Sequence, residues 1–538
     1  MKLTQSALIS IGPWVSSRTY FTTDQTRSII INERSRDLYT LDEESARLWA
    51  RLESGVTAED LHAHAIELGV ESELDDFMAS LSQMDLLVND LYATTPPPQQ
   101  EQSLGTSTPQ GAQIPEAEDS HQRLEQEFSD WVLEQGGLWS LFYETTYRCN
   151  ERCVHCFNPG AAHTEQQKPQ RKTQELTTAE AIAMIDDAYE VGAFKVCLSG
   201  GEVLVRKDFF DLVAHIRSKR MSLTLFTNGL LLDEEALIRL AAFYPALVGM
   251  SVYSANPEIH DTTTKVPGSH QRTISALRRL HSLGIRTSVK ATTMGHAVQG
   301  WQLLKDLAIE IGAFFQMDMQ ITAGNDGARE PMSLNVRSYN ELVALALSEG
   351  SSIYVDPQKN FGRFAKQQDQ PVCGAGRSLL SVNPEGDIYT CVAMPLAMGN
   401  VREQSIKSQW RGSRYGKEAD QTASRLSRWQ AITLSDYHEC GTHERCTWCN
   451  KCPGMGFVES GDPLAASEVQ CRVATARMDT AQRLEAGESH SAIFESLGLP
   501  EDFGTSLDVR PLASIPVTAT IDPRQIGGRK FDAETASS

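Results

Sequence analysis

The distribution of cysteines constrains this 538-residue chain more than any other feature of its sequence. Ten of the eleven cysteines fall into three groups, which are Cys149, Cys153 and Cys156; Cys373 and Cys391; and Cys440, Cys446, Cys449, Cys452 and Cys471. The opening MKLTQSALISIGPWVSSRTY has neither the apolar core nor the cleavage pattern of a secretory signal, so we expect a cytoplasmic protein. Thiols in a reducing cytoplasm do not persist as disulfides, and such clustering therefore indicates metal binding. Cys197 stands apart within KVCLSGG, and we expect it to be a buried core thiol.

Hydropathy and charge limit the partners of the chain. No apolar run approaches the length of a membrane span, so we expect no membrane partner. A net charge of −21 argues against nucleic acid, because phosphate binding needs a basic surface. The acidity is compatible with a basic or neutral peptide substrate, and equally with a role in solubility alone.

The pattern of apolar residues predicts an α/β protein with several domains. In residues 1–93, strand-like SIIINE and RDLYTL precede three helical stretches, which predicts a small winged-helix-like domain. Residues 94–120 are rich in Pro, Gln, Ser and Thr, which predicts a flexible linker between independently folding parts. Across residues 121–350, strand-like and helix-like stretches alternate, which predicts a parallel sheet, a partial (β/α)6 barrel with its site at the carboxyl ends of the strands. Residues 351–479 are loop-rich and hold seven cysteines, and we assign no chemistry to the extension at 480–538.

The first cysteine group has the spacing CX3CX2C and follows the first predicted barrel strand, WSLFYETT. Three thiolates can hold three irons of a 4Fe–4S cluster and leave the fourth iron open to a substrate or cofactor. The alternative is a zinc site with His155 or His163 as the fourth ligand. Position at the end of a strand in a β/α array favours the iron–sulfur cluster.

These features resemble the radical S-adenosylmethionine (SAM) superfamily, in which the open iron binds SAM. Ser199-Gly200-Gly201-Glu202, after the second strand, is similar to the GGE motif of that family, and Thr227-Asn228-Gly229, after the third, is similar to its TNG. The resemblance implies that Cys149, Cys153 and Cys156 are catalytic cluster ligands. It also implies that the residues contacting SAM are Gly200, Gly201, Glu202, Asn228 and Ser251.

The segment SVYSANPEIHDTTTKVPGSH, after the fourth strand, resembles the corresponding loop of peptide-modifying members of that family. Relatives often place an arginine near Thr264 for the SAM carboxylate, and here Lys265 follows instead. Whether Lys265 substitutes for it stays open. His260 and Asp261 are candidates for proton transfer, although an Asp–His pair that orders the loop is the preferred interpretation.

The seven later cysteines resemble a SPASM domain, which carries two auxiliary 4Fe–4S clusters. Cys373, Gly386 and Cys391 form CX12GX4C, which satisfies the opening motif of that family. The middle block is CX5CX2CX2C, whereas the family usually shows CX2CX5CX3C. Carried over by order, the first cluster takes Cys373, Cys391 and Cys452, and the second takes Cys440, Cys446, Cys449 and Cys471. A ferredoxin-like run of Cys446, Cys449 and Cys452 on one cluster, and zinc ribbons, are the alternatives.

Residues 1–93 resemble the PqqD-like domain, which binds leader peptides; the matching stretches are INERSRDLYTLDEESARLWARLESGVTAEDL and DDFMASLSQMDLLV. A plain winged-helix packing module is the alternative. Together, the resemblances imply a radical SAM/SPASM maturase with three 4Fe–4S clusters that takes electrons from reduced ferredoxin or flavodoxin. Its substrate would be a ribosomally made precursor peptide, and its product a crosslink, an epimerised residue or an oxidised residue. An enzyme acting on a folded protein or small molecule, and a non-catalytic iron–sulfur protein, are the other hypotheses.

Overall fold

The computed structural model describes residues 8–88, 116–156, 158, 174–292, 294, 300–318, 369–410, 425–449 and 451–497. Three predicted features lie wholly or largely outside these residues: most of the linker, the end of the barrel segment with the first part of the cysteine-rich segment, and the C-terminal tail.

The N-terminal module, residues 8–88, combines an antiparallel sheet with three helices. Its strands are β1 (Leu8–Ile9), β2 (Val15–Phe21), β3 (Thr26–Asn32), β4 (Leu38–Leu41) and β5 (Val56–Thr57), and its helices are α1 (Glu43–Glu53), α2 (Ala58–Leu68) and α3 (Leu74–Gln83). Strands β2, β3 and β4 form one sheet in that order, and β1 pairs with β5. Helix α2 begins with a capping box formed by Thr57 and Asp60. The sequence predicted β3, β4 and the three helices but missed β2.

The barrel segment begins with helix α4 (Glu116–Glu134), which starts inside the predicted linker. Six strands follow: β6 (Ser140–Glu144), β7 (Lys195–Ser199), β8 (Ser222–Thr227), β9 (Leu247–Ser251), β10 (Thr287–Thr292) and β11 (Phe314–Asp318). The helices among them are α5 (Thr178–Glu190), α6 (Phe209–Ser218), α7 (Glu234–Ala241), α8 (Pro257–Thr264), α9 (Ser269–Ser282) and α10 (Trp301–Ile311). Neighbouring strands are parallel and lie in chain order, so the predicted α/β fold class is confirmed.

The cysteine-rich segment extends the same sheet. It contains β12 (Leu379–Val382), β13 (Asp387–Tyr389) and β14 (Gly399–Asn400), followed by α11 (Ile406–Gln409), α12 (Arg425–Gln430), α13 (Pro453–Ser460), α14 (Glu468–Glu485) and α15 (His490–Leu497). Strand β12 pairs in parallel with β6, and β13 and β14 continue antiparallel. The resulting sheet has nine strands, so the predicted boundary between the barrel and the cysteine-rich segment runs through one continuous sheet.

The main hydrophobic core lies between this sheet and its helices. Strand β7 alternates, with Val196 and Leu198 in that core. Cys197 therefore points to the opposite side of the sheet, which we call the inner face. The expectation of a core thiol was wrong in this respect, because the period of a strand places Cys197 away from the helices.

The N-terminal module packs on the amino-terminal side of the barrel through buried polar groups. The Arg18 guanidinium, only 8% exposed, donates to the carbonyl oxygens of Tyr189 (2.5 Å) and Ala193 (3.2 Å). Its carbon lies 3.9 Å from the centre of the Tyr189 ring. Nearby, the hydroxyl of Tyr20 donates to the carbonyl of Gly192 at 2.9 Å.

A second set of contacts joins the module to the end of α6. Arg217 donates to the hydroxyl of Ser16 (2.6 Å) and to the carbonyl of Pro13 (2.9 Å). The hydroxyls of Ser16 and Ser222 in turn donate to the carboxylate of Glu33. Burial raises the pKa of Glu33, while the Arg217 charge and the two hydroxyls oppose that rise. The two parts therefore share a buried interface, and their independent folding stays a prediction.

We expect Arg18→Met to lower the free energy of unfolding by about 1–3 kcal/mol, since two buried carbonyls lose their charged donor. The measurement is chemical denaturation of the full chain. Arg51→Met, on the exposed side of α1, is the matched control and should change stability by less than about 0.5 kcal/mol. Equal stability of the two variants would contradict an energetic link between the module and the barrel.

Candidate functional site

The cysteine loop, residues 145–156, leaves the carboxyl end of β6 and is held by α8. The backbone N–H of Cys156 donates to the carbonyl of Cys153 at 3.1 Å, which closes a tight turn. The N–H groups of Arg152 and Val154 donate to the carbonyls of Thr264 and Thr263, both at 3.0 Å. The last carbonyls of a helix lack partners within the helix, and here the cysteine loop supplies them.

Helix α8 lies within the segment that the sequence analysis treated as a loop. The side chain of Asn256 caps it by accepting from the N–H of Glu258, and Pro257 occupies its first turn. The helix ends at Lys265, whose φ of 60° is left-handed. Lys265 is exposed, and its role in SAM binding stays open.

The three thiols of the cysteine loop lie close together in a buried environment. Burial raises the pKa of Cys149 to about 12, and the carboxylates of Glu202 and Glu151 raise it further. Burial likewise raises the pKa values of Cys153 and Cys156, and neighbouring thiols further raise those of Cys149 and Cys153. Three such groups ionise together only when a cation compensates them, so the donor set suits an iron–sulfur cluster.

The two glycines after β7 allow the cysteine loop to approach the sheet. The N–H of Gly201 donates to the carbonyl of Thr146 (2.7 Å), and the N–H of Glu202 donates to that of Arg148 (2.9 Å). A Cβ at Gly200 or Gly201 would collide with the Thr146 or Arg148 carbonyl oxygen, and Gly200 has a φ of 126°. The contact of these glycines with SAM stays a prediction, whereas the structure shows that the cysteine loop approaches them.

Glu202 ties the ends of two neighbouring strands together. Its side chain is fully buried and accepts from the Thr227 hydroxyl (2.7 Å), the Asn228 N–H (2.7 Å) and the Leu204 N–H (3.2 Å). Burial raises the pKa of Glu202, and these donors counteract the rise. The predicted contact between Glu202 and SAM stays a prediction.

Asn228 extends these contacts to the cysteine loop. Its side-chain amide donates to the Oδ1 of Asn150 at 2.7 Å and lies 3.9 Å from the Sγ of Cys149. Its own Oδ1 accepts from the N–H of Leu230 at 3.0 Å. The TNG segment is therefore more than a turn, because its asparagine contacts the loop that bears the first cysteine.

Ser251 and Tyr253 reach the same loop from the end of β9. The Tyr253 hydroxyl lies near the side chain of Ser251 and 4.0 Å from the Sγ of Cys153. The rings of Tyr253 and His155 lie edge to face with centroids 4.6 Å apart. The sequence predicted a role for Ser251 but not for Tyr253. Tyr253 lies two residues after the end of β9, and that position could have indicated it.

His260 and Asp261 both order this region, but not as a pair. His260 is fully buried, and its Nδ1 accepts from the N–H of Tyr253 at 3.2 Å. Burial lowers the pKa of His260 to about 4. The carboxylate of Asp261 accepts from the N–H groups of Gly268 and His270 and from the hydroxyl of Ser269. These contacts favour the ordering role over proton transfer.

The inner face of the sheet carries charged and aromatic side chains that the sequence analysis did not single out. The Lys290 ammonium lies 3.3 Å from the centre of the Phe226 ring, and Phe142 contacts the same ring. Glu144 is buried at the end of β6, and burial raises its pKa to about 7. The alternation of side chains along β6 could have predicted these residues, because Glu144 and Phe142 lie on the face of the strand away from the core residues Leu141 and Tyr143.

The later cysteines form two groups of neighbouring thiols. Cys391 lies beside Cys452 and Cys373; burial raises the pKa of Cys391 to about 12, and these two thiols raise it further. Cys440 lies beside Cys449, Cys446 and Cys471, and burial followed by these thiols raises its pKa to about 11. These groups have the same members as the partition by order along the chain.

The second group lines a cavity together with Tyr437 and with Cys452 of the first group. All eleven cysteines are free thiols. Among the residues that the structure describes, no three His, Cys, Asp or Glu side chains are spaced to hold a single metal ion.

Two family models match the chain. The model described as Radical SAM superfamily matches residues 143–308, and the SPASM model, described as an iron–sulfur cluster-binding domain, matches residues 373–453. The chain thus contains a radical SAM domain and a SPASM domain. The two matches indicate 4Fe–4S clusters and SAM binding.

Several characterised proteins are similar to this chain. The AdoMet-dependent heme synthase of Methanosarcina barkeri is 25% identical over 354 residues, which cover 60% of this chain and 93% of that protein. Mycofactocin maturase MftC of Mycobacterium ulcerans is 28% identical over 260 residues, which cover 47% of this chain and 67% of that protein. MftC of Mycobacterium tuberculosis is 26% identical, with coverages of 62% and 82%.

Among solved structures, Streptococcus suis SuiB bound to precursor peptide SuiA aligns with a TM-score of 0.48 and 14% identity. The alignment covers 86% of this chain and 99% of that chain. Within the described residues, no helix is both long enough and apolar enough to span a membrane.

We expect about twelve irons per chain after anaerobic reconstitution, from three 4Fe–4S clusters on ten cysteines, with Cys197 excluded. The measurement is metal analysis by mass spectrometry together with visible absorbance. An iron content near four with tightly bound zinc would contradict the auxiliary clusters.

Changing Cys149, Cys153 and Cys156 together to Ala should abolish cleavage of SAM, because no ligand would remain for the cluster beside Glu202. The absorbance of the auxiliary clusters should persist. Cys197→Ala is the matched control and should retain cleavage in the absence of peptide. The assay follows formation of 5′-deoxyadenosine by chromatography, and cleavage in the triple variant would mean that the reaction starts elsewhere.

Proposed function

We propose that this chain, which carries a radical SAM domain and a SPASM domain, modifies a ribosomally made precursor peptide. The observation that carries the proposal is a strand edge, on β4, in a module that is fixed to the barrel bearing the cysteine loop. The maturases among its relatives support a peptide substrate. The product would be a crosslink, an epimerised residue or an oxidised residue.

In this proposal, Cys149, Cys153 and Cys156 hold the cluster, and SAM contacts Gly200, Gly201, Glu202, Asn228 and Ser251. When bound, SAM would supply a 5′-deoxyadenosyl radical for hydrogen abstraction from the substrate, with one electron taken from the reduced cluster and methionine released. The chain itself positions the cysteine loop and excludes water from the site. Asn228 fixes the start of the cysteine loop, while Phe142 and Phe226 make the adjoining inner face apolar.

The auxiliary clusters would occupy the two thiol groups. Cys373, Cys391 and Cys452 supply three ligands to one, so water, another side chain or a peptide thiolate completes it. Cys440, Cys446, Cys449 and Cys471 supply four to the other. Reduced ferredoxin or flavodoxin would be the external electron donor.

The leader peptide would dock as an added strand on the N-terminal module. Strands β2 and β4 are the two edges of its three-stranded sheet. The edge at β2 is already used, since the N–H of Ser17 donates to the carbonyl of Arg220 in the barrel at 2.9 Å. The edge at β4 is therefore the better candidate.

The register of β4 identifies the groups that a leader would use. The N–H of Asn32 donates to the carbonyl of Asp37, and the partners continue as Ile31 with Leu38 and Ile29 with Thr40. Because antiparallel pairs alternate, the N–H groups of Leu38 and Thr40 point away from β3. Within the described residues, neither forms a backbone hydrogen bond beyond the sheet.

Two other functions differ from this one in their observable consequences. The first alternative is an enzyme that acts on a small molecule, as the relatives named as heme synthases suggest. A non-catalytic iron–sulfur protein would not cleave SAM. The N-terminal module favours the peptide, because a small-molecule enzyme has no need of a free strand edge.

The decisive experiment incubates the reduced enzyme and SAM with synthetic peptides from short reading frames beside its gene. Mass spectrometry should show a peptide whose mass changes only when enzyme, SAM and reductant are all present. Cleavage of SAM with no peptide modified, combined with turnover of a small molecule, would contradict the proposal.

We expect Thr40→Pro to weaken binding of the precursor peptide that the enzyme modifies about tenfold. A loss of this size corresponds to one backbone hydrogen bond of roughly 1–1.5 kcal/mol. Proline removes an N–H that does not face β3, so the sheet itself should persist. Thr40→Ala keeps that N–H and is the matched control. Fluorescence anisotropy gives the affinities, and equal binding by both variants would rule out docking at this edge.

A further inference from the structure

Lys451 is a buried cation among the thiols of the second auxiliary group. The residue is only 6% exposed. Its backbone N–H donates to the Sγ of Cys449 at 3.3 Å, and its ammonium donates to the carbonyl oxygen of Cys446 at 3.1 Å. Its φ of 43° is left-handed, which a residue with a side chain rarely adopts. The chain thus holds Lys451 in a strained conformation in which both contacts form.

A buried ammonium is costly unless negative charge lies nearby. The four thiols of the second group line the cavity beside Lys451, and the exposed residue Glu439 and the side chain of Arg445 line it as well. The position of the cation therefore suits thiolates bound to iron better than free thiols.

We propose that Lys451 raises the reduction potential of the 4Fe–4S cluster held by Cys440, Cys446, Cys449 and Cys471. The inference rests on the cluster assignment in the proposed function. Reduction adds one electron, and therefore one negative charge, to a cluster that is already anionic. A fixed cation in a poorly solvated site stabilises the more negative state, and net charge and hydrogen bonds to sulfur are known determinants of cluster potentials. The electron comes from the iron–sulfur or flavin protein proposed above, or from dithionite in the test.

The test compares Lys451→Gln with Lys451→Arg in the full-length reconstituted protein without SAM or peptide. Both variants keep the backbone N–H to Cys449, and only the first removes the charge. Lys407→Gln is the matched control, because Lys407 is an exposed lysine of the same segment that pairs with Glu190. Potentiometric titration followed by electron paramagnetic resonance gives the potential of each cluster.

We expect one cluster of Lys451→Gln to shift to a more negative potential, while Lys451→Arg and Lys407→Gln keep the unsubstituted value. Loss of four irons in Lys451→Gln but not in Lys451→Arg would also support the charge, as a requirement for holding the anionic cluster. Unchanged potentials in Lys451→Gln with full iron content, or loss of the cluster in both variants, would overturn the inference.

Failure of this inference can be told apart from failure of the proposed function. An iron content near four in the unsubstituted protein would overturn the cluster assignment and this inference with it. A full iron content and a shifted potential, with no peptide ever modified, would overturn the peptide substrate alone.

Discussion

The buried carboxylate of Glu202 is the group on which the rest of the site depends. It accepts three hydrogen bonds from residues at the ends of β7 and β8, and its own N–H is bonded to the stem of the cysteine loop. A fully buried carboxylate without these donors would be strongly unfavourable, so the strands, the TNG segment and the loop adopt their positions together. The loop has no regular structure of its own. Hydrogen bonds to the sheet on one side and to the carbonyls of α8 on the other hold it in place.

The N-terminal module is bound by the same kind of contact on the opposite side of the barrel. Arg18 and Arg217 satisfy carbonyl and hydroxyl oxygens that no apolar residue can satisfy, and each bond crosses between the module and the barrel. Because these contacts are buried and directional, they fix an orientation as well as a position. A peptide held at β4 would then reach the cysteine loop only with a suitable number of residues between the two. The length of that spacer, rather than local sequence, would select the residue presented to the loop.

The elements that sequence could predict are those with a local signal. The barrel strands alternate core residues with inner-face residues, and the helices among them show a regular apolar period with recognisable caps. Strand β2 lacked that signal, because Ser16 and Ser17 are polar and are buried through hydrogen bonds to Glu33 and Glu53. Helix α8 had a visible start at Asn256, but its eight residues contain too few apolar positions to show a period.

In the site, sequence order predicted which strand ends carry the candidate residues but not their contacts. Spacing located the cysteine loop, the glycines and Glu202. The partners of Glu202 and the approach of Tyr253 to Cys153 depend on pairing between distant segments, which no local pattern encodes. The parallel pairing of β12 with β6 is another example, since it joins segments separated by the entire barrel.

The cysteine-rich segment contributes Leu380, Ile388 and Trp429, among others, to the main hydrophobic core, and a buried arginine satisfies carbonyl groups beside that core. Arg377, almost fully buried, donates to the carbonyl oxygens of Trp429, Gln430 and Ile432, and a longer contact reaches that of Cys373. Trp429 and Gln430 end helix α12, and the last carbonyls of a helix lack partners within it, so a guanidinium with several donors satisfies them together with the carbonyl of Ile432 that follows. Lysine could not make these bonds at once, because its single ammonium lacks the planar fork. Near the second thiol group the requirement differs, since one sulfur and one carbonyl need donors close to several negative charges. A compact ammonium suits that place, and Lys451 occupies it.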